Sequence, residues 1–410
     1  MSVGELNGDG LRVHRLLQWV STGFPLPIDV YTLSCFWRAT ICNNSVAIII
    51  IPAVLRFQQK MSHTTTIPVI DIGAFVDAAK RADSDATAAS LGAAFRDVGF
   101  AYITGHGVPS AVIQKAFSHA KRLFELPMDA KEALSMTGAN AHTHRGYSGF
   151  GDEVLNEETK DWKEAFDIGY DLPPSDPDVA AGVPLHGPNV WPSHESAPEL
   201  ATFKHDLELY FSHMERVGRS LLVGFEKHFG LADGYFEPFF QRPLVLMRLL
   251  HYPPLPEEML NSTTPGRDIV TCGEHSDYGG LTLLAVDAPG LQVKSTNGEW
   301  IAAPPMGNDA LIVNLGDMMQ RWTNDVLKAT PHRVVNVNPL AHRYSIPFFF
   351  EPNFHSIVRC LEPCLRLSGT TVPKYPDTQY GPYLLSRYDA TFNHRKDDES
   401  NPTNARPGRY

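Results

Sequence analysis

Cysteine is scarce in this 410-residue chain: there are five, at Cys35, Cys42, Cys272, Cys360 and Cys364. An odd, scattered set does not make the disulfide framework of a secreted domain, so the expected setting is a reducing, cytoplasmic one. Cys360 and Cys364 lack the second pair that a zinc site needs and read as free thiols. Basic charge is also short, with 35 Lys and Arg against 46 Asp and Glu and a formal net charge of −11. Such a chain has no positive field for a phosphate backbone or an anionic bilayer, so neither nucleic acid nor a membrane is expected as a partner. Long apolar runs are missing too. The best candidate, Ala39 to Leu55, is 17 residues and carries Asn43, Asn44, Ser45 and Pro52, which makes it too short and too polar for a good span. No internal repeat is found. With 43% hydrophobic and 20% charged residues, disorder and coiled coil are excluded, and there is material for a large core.

Four stretches follow one another. Residues 1–60 have a texture of their own and read as an amino-terminal extension, poorly ordered or outside the domain. Residues 61–240 read as an α/β region: an extended IPVIDI from Ile67, a helical period from Ala86 to Val98, a strand in GFAYITGHGV, and helices over Ser110 to Leu126 and Glu199 to Phe229. Arg145 to Asp152 and the Pro-rich Asp171 to Trp191 read as loops. Residues 241–355 carry short β-rich runs at Leu244 to Tyr252, Leu281 to Val286, Leu291 to Val293, Ala310 to Leu315, His332 to Val337 and Arg343 to Phe350. Many short strands separated by turn residues indicate a sandwich or barrel, with a jelly roll among the candidates. Residues 356–410 read as a short helix near Tyr383 to Arg387 and a disordered tail.

The chemistry begins at His275-Ser-Asp277. On a strand, residues two apart share a face, so both side chains can reach one ion. By itself the pair is uninformative: 17 histidines and 46 acidic residues in 410 positions give about two such pairs by chance, and the chain has two. The other, His213-Met-Glu215, lies in a helical period, where positions two apart diverge. His332, at the start of another β run, is the candidate second imidazole, against the simpler reading of a strand-capping residue. Two imidazoles and a carboxylate on one face of an octahedron leave the other face open, which suits a redox-active Fe(II). Arg343-Tyr-Ser345 then puts a guanidinium and a hydroxyl on one face of an apolar strand. A carboxylate of the protein or of a ligand could be its partner.

In these segments the chain resembles the isopenicillin N synthase-like branch of the iron(II)/2-oxoglutarate-dependent dioxygenases. IPVIDI, GFAYITGHGV, RLLHYPP, GEHSDYGGLTLL, NLGDMMQRWTND, TPHRVV and RYSIPFFFEPNF occur in the family's order over Ile67 to Phe354. The resemblance implies a double-stranded β-helix (jelly roll) core with flanking helices, His275, Asp277 and His332 as iron ligands, and Arg343 with Ser345 as the clamp on the far carboxylate of 2-oxoglutarate. Tyr252 matches a tyrosine that often bonds the same co-substrate; His251 receives no role. It also implies an oxidoreductase that uses Fe(II), 2-oxoglutarate and O2, with ascorbate as a further reductant in some members, to hydroxylate or desaturate a small organic molecule while releasing succinate and CO2. A monomer is expected. Two other readings stand beside it: an oxidase or ring-forming synthase that uses the iron without 2-oxoglutarate, and a non-catalytic small-molecule-binding protein on the same barrel. Arg145 to Asp152, Trp162 to Phe166 and His186 to Trp191 are candidates for the pocket entrance, and Phe348, Phe349 and Phe350 for core or for the shell of the site.

Overall fold

The computed structural model describes residues 66–77, 84–153, 161–193, 195, 197–262 and 268–392. Readings that fall on residues 1–60 and on the tail after 392 lie outside these. In chain order the strands are β1 (Val69–Asp71), β2 (Phe100–Thr104), β3 (Gly146–Ser148), β4 (Glu164–Ile168), β5 (Pro243–Tyr252), β6 (Ile269–His275), β7 (Leu281–Val286), β8 (Leu291–Lys294), β9 (Trp300–Ala302), β10 (Leu311–Leu315), β11 (His332–Asn336), β12 (Arg343–Asn353), β13 (Ile357–Val358) and β14 (Thr378–Gln379). Eight of them form a large sheet in the order β1-β2-β10-β7-β12-β5-β4-β3, and four form a smaller one in the order β6-β11-β8-β9. Apart from the parallel β1–β2 pair, both sheets are antiparallel. The two sheets close on a shared cavity, which makes the core a jelly roll.

Period two decides which side chains face that cavity. On β5, Leu246, Arg248, Leu250 and Tyr252 line it, and on β12, Arg343, Ser345, Pro347, Phe349 and Glu351 do, every second residue on each strand. The residues between them point the other way. Phe348 and Phe350 are fully buried against helix α1 (Phe203–Phe229), where the Phe211 and Phe348 rings meet edge to face at 5.0 Å. The Phe348-Phe349-Phe350 run is therefore core on one face and cavity wall on the other.

Helix α1 obeys its sequence pattern, burying Leu207, Phe211, Met214, Val217, Leu221 and Phe225 at three- and four-residue intervals. It ends where Gly230 takes φ +62° and its N–H reaches back to the carbonyls of Glu226 and Lys227, a left-handed cap that favours glycine. Its start is Phe203 rather than Glu199, because Pro198–Leu200 form a separate 3-10 turn. Two segments differ from expectation: Gly146–Ser148, read as loop, pairs with β4 as an edge strand, and the short helix expected near Tyr383 to Arg387 is a longer one, α2, over Tyr380–Thr391. Both were obscured by residues that disfavour regular structure locally (Gly-rich text in one, Pro382 in the first turn of the other) and that tertiary pairing overrides. Among the described residues no helix is long and apolar enough to cross a membrane.

Candidate active site

Strand pairing brings the histidines together. In the β6–β11 ladder His275 and His332 are direct partners, and their ring centroids lie 4.3 Å apart. Asp277 is not on the strand face with His275. It follows the end of β6, in the turn before Gly279-Gly280, and folds back so that its Oδ1 is 3.9 Å from His275 Nε2 and 3.6 Å from His332 Nε2. The candidate ligand atoms of the three residues all lie within 4.8 Å of one another, and among the described residues no other such group occurs.

The far side of each candidate ligand is already engaged. His275 Nδ1 donates to the Gly273 carbonyl at 2.8 Å, and His332 Nδ1 donates to that of Thr330 at 3.1 Å. Both Nε2 atoms are thereby left as acceptors toward the centre. Asp277 Oδ2 accepts hydrogen bonds from Thr282 Oγ1 and from Asn314 Nδ2, leaving Oδ1 for a cation. Phe100 packs edge-on against His332 at 5.3 Å. Fixed tautomers, a carboxylate with one oxygen held and one presented, and a ring braced in place are the outer supports of a metal site. The donor set, two neutral nitrogens and one carboxylate, fits Fe(II).

Electrostatics point the same way. Burial opposes charge on His275, but Cys272 and Asp277 outweigh it and lift its pKa to about 9. Burial and the adjacent His275 push His332 down to about 4. Burial would raise Asp277, yet the two imidazoles and its two hydrogen-bond donors hold it below the ordinary range. Without metal, the site accepts one proton between two rings; a divalent ion held by the three residues would take that proton's place.

Across the β12–β5 ladder Arg343 pairs with Tyr252 and Ser345 with Leu250. The Arg343 guanidinium lies over the Tyr252 ring, 4.8 Å from its centroid, and donates to Ser345 Oγ at 3.3 Å. Arg343 is 8% exposed, and its Nε has no hydrogen-bond partner among the described residues. No carboxylate of the described residues is paired with it. A buried guanidinium with only a hydroxyl and a ring for company has the character of a receptor for an anion that the chain does not supply. That fits the far carboxylate of 2-oxoglutarate.

The triad and the anion receptor share an open-mouthed cavity of about 930 Å³, solvent at its mouth included. Of the expected entrance segments, Trp162 to Phe166 contributes Lys163, while Arg145 to Asp152 and His186 to Trp191 do not line it. His186 packs instead on Phe354, just past β12, and Trp191 on Phe203 at the start of α1. Leu384 and Tyr388 of α2, with Phe392, supply wall that the sequence reading left out. Thr282, Asn314 and Glu351 were also missed. Their signal was a polar residue at an inward position of an otherwise apolar strand, clearest in the LIVNL of β10. His251 faces outward, with Nδ1 2.7 Å from Glu164 Oε1 and Nε2 2.7 Å from His342 Nδ1. His213 and Glu215 contact Arg216 and Arg219 on the surface of α1.

Two family models match the chain: the amino-terminal region of non-haem dioxygenases in morphine synthesis over residues 67–194, and the 2OG-Fe(II) oxygenase superfamily over 243–352. The 2-oxoglutarate-dependent dioxygenase citB of Monascus ruber is 35% identical over 304 residues, 72% of this chain and 88% of that protein. The rice homoarginine-6-hydroxylase 2-ODD-233 is 32% identical over 80% of this chain and 97% of its own length. Among solved structures, a full-length protein of Neurospora crassa in complex with alpha-KG and 5-formyluracil superposes with a TM-score of 0.67 at 30% identity, covering 79% of this chain and 96% of that one. The chain thus belongs to the 2OG-Fe(II) oxygenase superfamily and is an Fe(II)- and 2-oxoglutarate-dependent oxygenase, an oxidoreductase that consumes O2.

Proposed function

We propose that His275, Asp277 and His332 hold the Fe(II), that Arg343 and Ser345 bind the distal carboxylate of 2-oxoglutarate with Tyr252 beneath the guanidinium, and that a small organic molecule is oxidised in the cavity beside them. The observation that carries this reading is the buried Arg343 without an anionic partner, facing the same cavity as the triad. When bound, the iron couples oxidative decarboxylation of 2-oxoglutarate, to succinate and CO2, with oxidation of the substrate. The chain's own residues do the rest. Thr282 and Asn314 aim Asp277, Arg343 sets the orientation of the co-substrate, and the apolar side chains of β5, β7 and β12 keep bulk water from the reacting atoms. The free thiols Cys272 and Cys364, both buried, suit a protein working in a reducing compartment such as the cytoplasm.

The test is anaerobic addition of Fe(II) and 2-oxoglutarate to the full-length protein. A weak visible charge-transfer band supports the assignment, and folded protein that binds iron but gives no band refutes it.

A further inference from the structure

Building on the reading just given, the charges around the cavity can be matched one by one. Asp277 and Arg343 cancel against a divalent iron and a dianionic co-substrate. Beside them, Arg248 is paired with Asp167 and Glu153, and Lys163 with Glu153 and Asp161. Arg145 is near enough to act on the charge of Asp167, so that cluster holds three carboxylates and three cations. One group is left over. Glu351, 6% exposed, lies on the inward face of β12 and lines the cavity. Its Oε2 accepts from the Gly280 N–H at 2.7 Å and from the Tyr380 hydroxyl at 2.5 Å. Among the described residues, no donor reaches its Oε1 and no cation is paired with it. A Cβ at Gly279 would overlap Oε2, so the turn after Asp277 is built around this carboxyl. Burial pushes its pKa up to about 7.

A carboxyl held by one oxygen and open at the other has the geometry of a receptor, as Arg343 has at the opposite end of the same strand. We propose that Glu351 is a specificity-determining residue whose free oxygen receives a cationic nitrogen group of the substrate, so that the substrate class is small molecules carrying a guanidinium or ammonium. A cationic group arriving there fixes the carboxyl in its ionised form and completes the charge balance of the cavity.

The proposal is tested with two probes of one shape, n-propylguanidinium and its neutral isostere n-propylurea. Each is titrated by calorimetry into the full-length protein under anaerobic Fe(II) and 2-oxoglutarate. Wild type should bind the cation about tenfold or more tightly than the urea, and Glu351→Gln, whose amide oxygen can still accept from Gly280 and Tyr380, should bring the two within about twofold. Tyr380→Phe, which keeps the carboxyl but removes its hydroxyl donor, should retain the preference. Equal binding of both probes to wild type, or no binding of the cation, overturns the proposal without need of any variant. An unchanged preference in Glu351→Gln, or its loss in Tyr380→Phe as well, assigns Glu351 to structure alone. The charge-transfer band, read in the same samples, separates these results from failure of the co-substrate assignment, which the probes do not measure.

Discussion

Asp277 presents Oδ1 to the centre of the triad because Thr282 and Asn314 hold Oδ2. Removing either donor frees the carboxylate to rotate or to take both oxygens to the metal. Thr282→Val and Asn314→Ala should therefore each weaken Fe(II) binding by about 10- to 100-fold, read by metal titration with circular dichroism as the control for folding. Normal affinity in both would remove them from the site. In the proposed reading Arg343 acts on a different ligand, the co-substrate. Truncating one partner of a buried charged pair costs about 2–5 kcal/mol, or about 30- to several-thousand-fold in affinity. Arg343→Ala should raise the 2-oxoglutarate requirement by that factor and keep its iron, Arg343→Lys should fall between because it lacks the fork, and Ser345→Ala should cost about 1 kcal/mol. Titration of succinate release decides, and unchanged dependence in Arg343→Ala would eliminate the anchor. Glu351 makes a stability prediction of its own. Its pKa is raised to about 7 in the folded protein from an ordinary 4.5, so the native state keeps a proton that the unfolded chain gives up. Its contribution is fully present below pH 4.5 and is lost as pH rises toward 7, by about 3 kcal/mol in all. Urea denaturation of Glu351→Gln at about pH 5 and about pH 8 should show the variant gaining on wild type at the higher pH. A constant difference would mean that the carboxyl titrates normally.

At the scale of elements, sequence pattern worked where one physical requirement dominated. Strands β7, β10 and β12 are central in the large sheet and carry near-continuous apolar runs broken only at cavity-facing positions, so their limits were readable within about three residues. β4 was hidden for the opposite reason. Its Glu164 and Asp167 look like surface text but are buried, with Glu164 joined to Lys131, Tyr147 and His251, so only partners from distant segments make it a strand. The same limit applied to the site. The histidines and Arg343 carry their chemistry in their residue types and could be named, whereas Thr282, Asn314 and Glu351 acquire a role only from the neighbours that pairing gives them. The Glu164 network yields a prediction for the β4–β5 pair. His251→Phe keeps the ring stacked between Phe124 and Tyr344 but leaves Glu164 Oε1 without its donor inside the sheet. An unsatisfied buried carboxylate costs about 1–3 kcal/mol or more, so the urea midpoint should fall accordingly, while the 2-oxoglutarate titration should stay within about threefold. A large loss of co-substrate affinity would show that the outer face of the barrel controls the inner one.

For the molecule as a whole, the question is how much chain the oxygenase needs. The resemblance begins near Ile67, and the two family models start at residue 67 and end at 352. The cavity, however, draws Leu384, Tyr388 and Phe392 from beyond that limit. The carboxy-terminal boundary of the working unit therefore lies past α2, whose Tyr380 is fully buried and holds Glu351. At the amino-terminal end the working unit needs less of the chain. Every group assigned to iron, co-substrate or substrate lies between Glu153 and Phe392, and the first described strand, β1, has β2 as its partner. A chain begun at Met61 retains Ile67, which is buried with Phe100 and Tyr102 in the cluster that also takes residues from β6 and β11, so the described core is present in full. Expressed from Met61, the protein should bind one Fe(II), give the same charge-transfer band with 2-oxoglutarate, and unfold within about 1 kcal/mol of the full chain, since the burial balance of that core is unchanged. Aggregation of that truncation under conditions in which the full chain stays in solution would make residues 1–60 part of the fold.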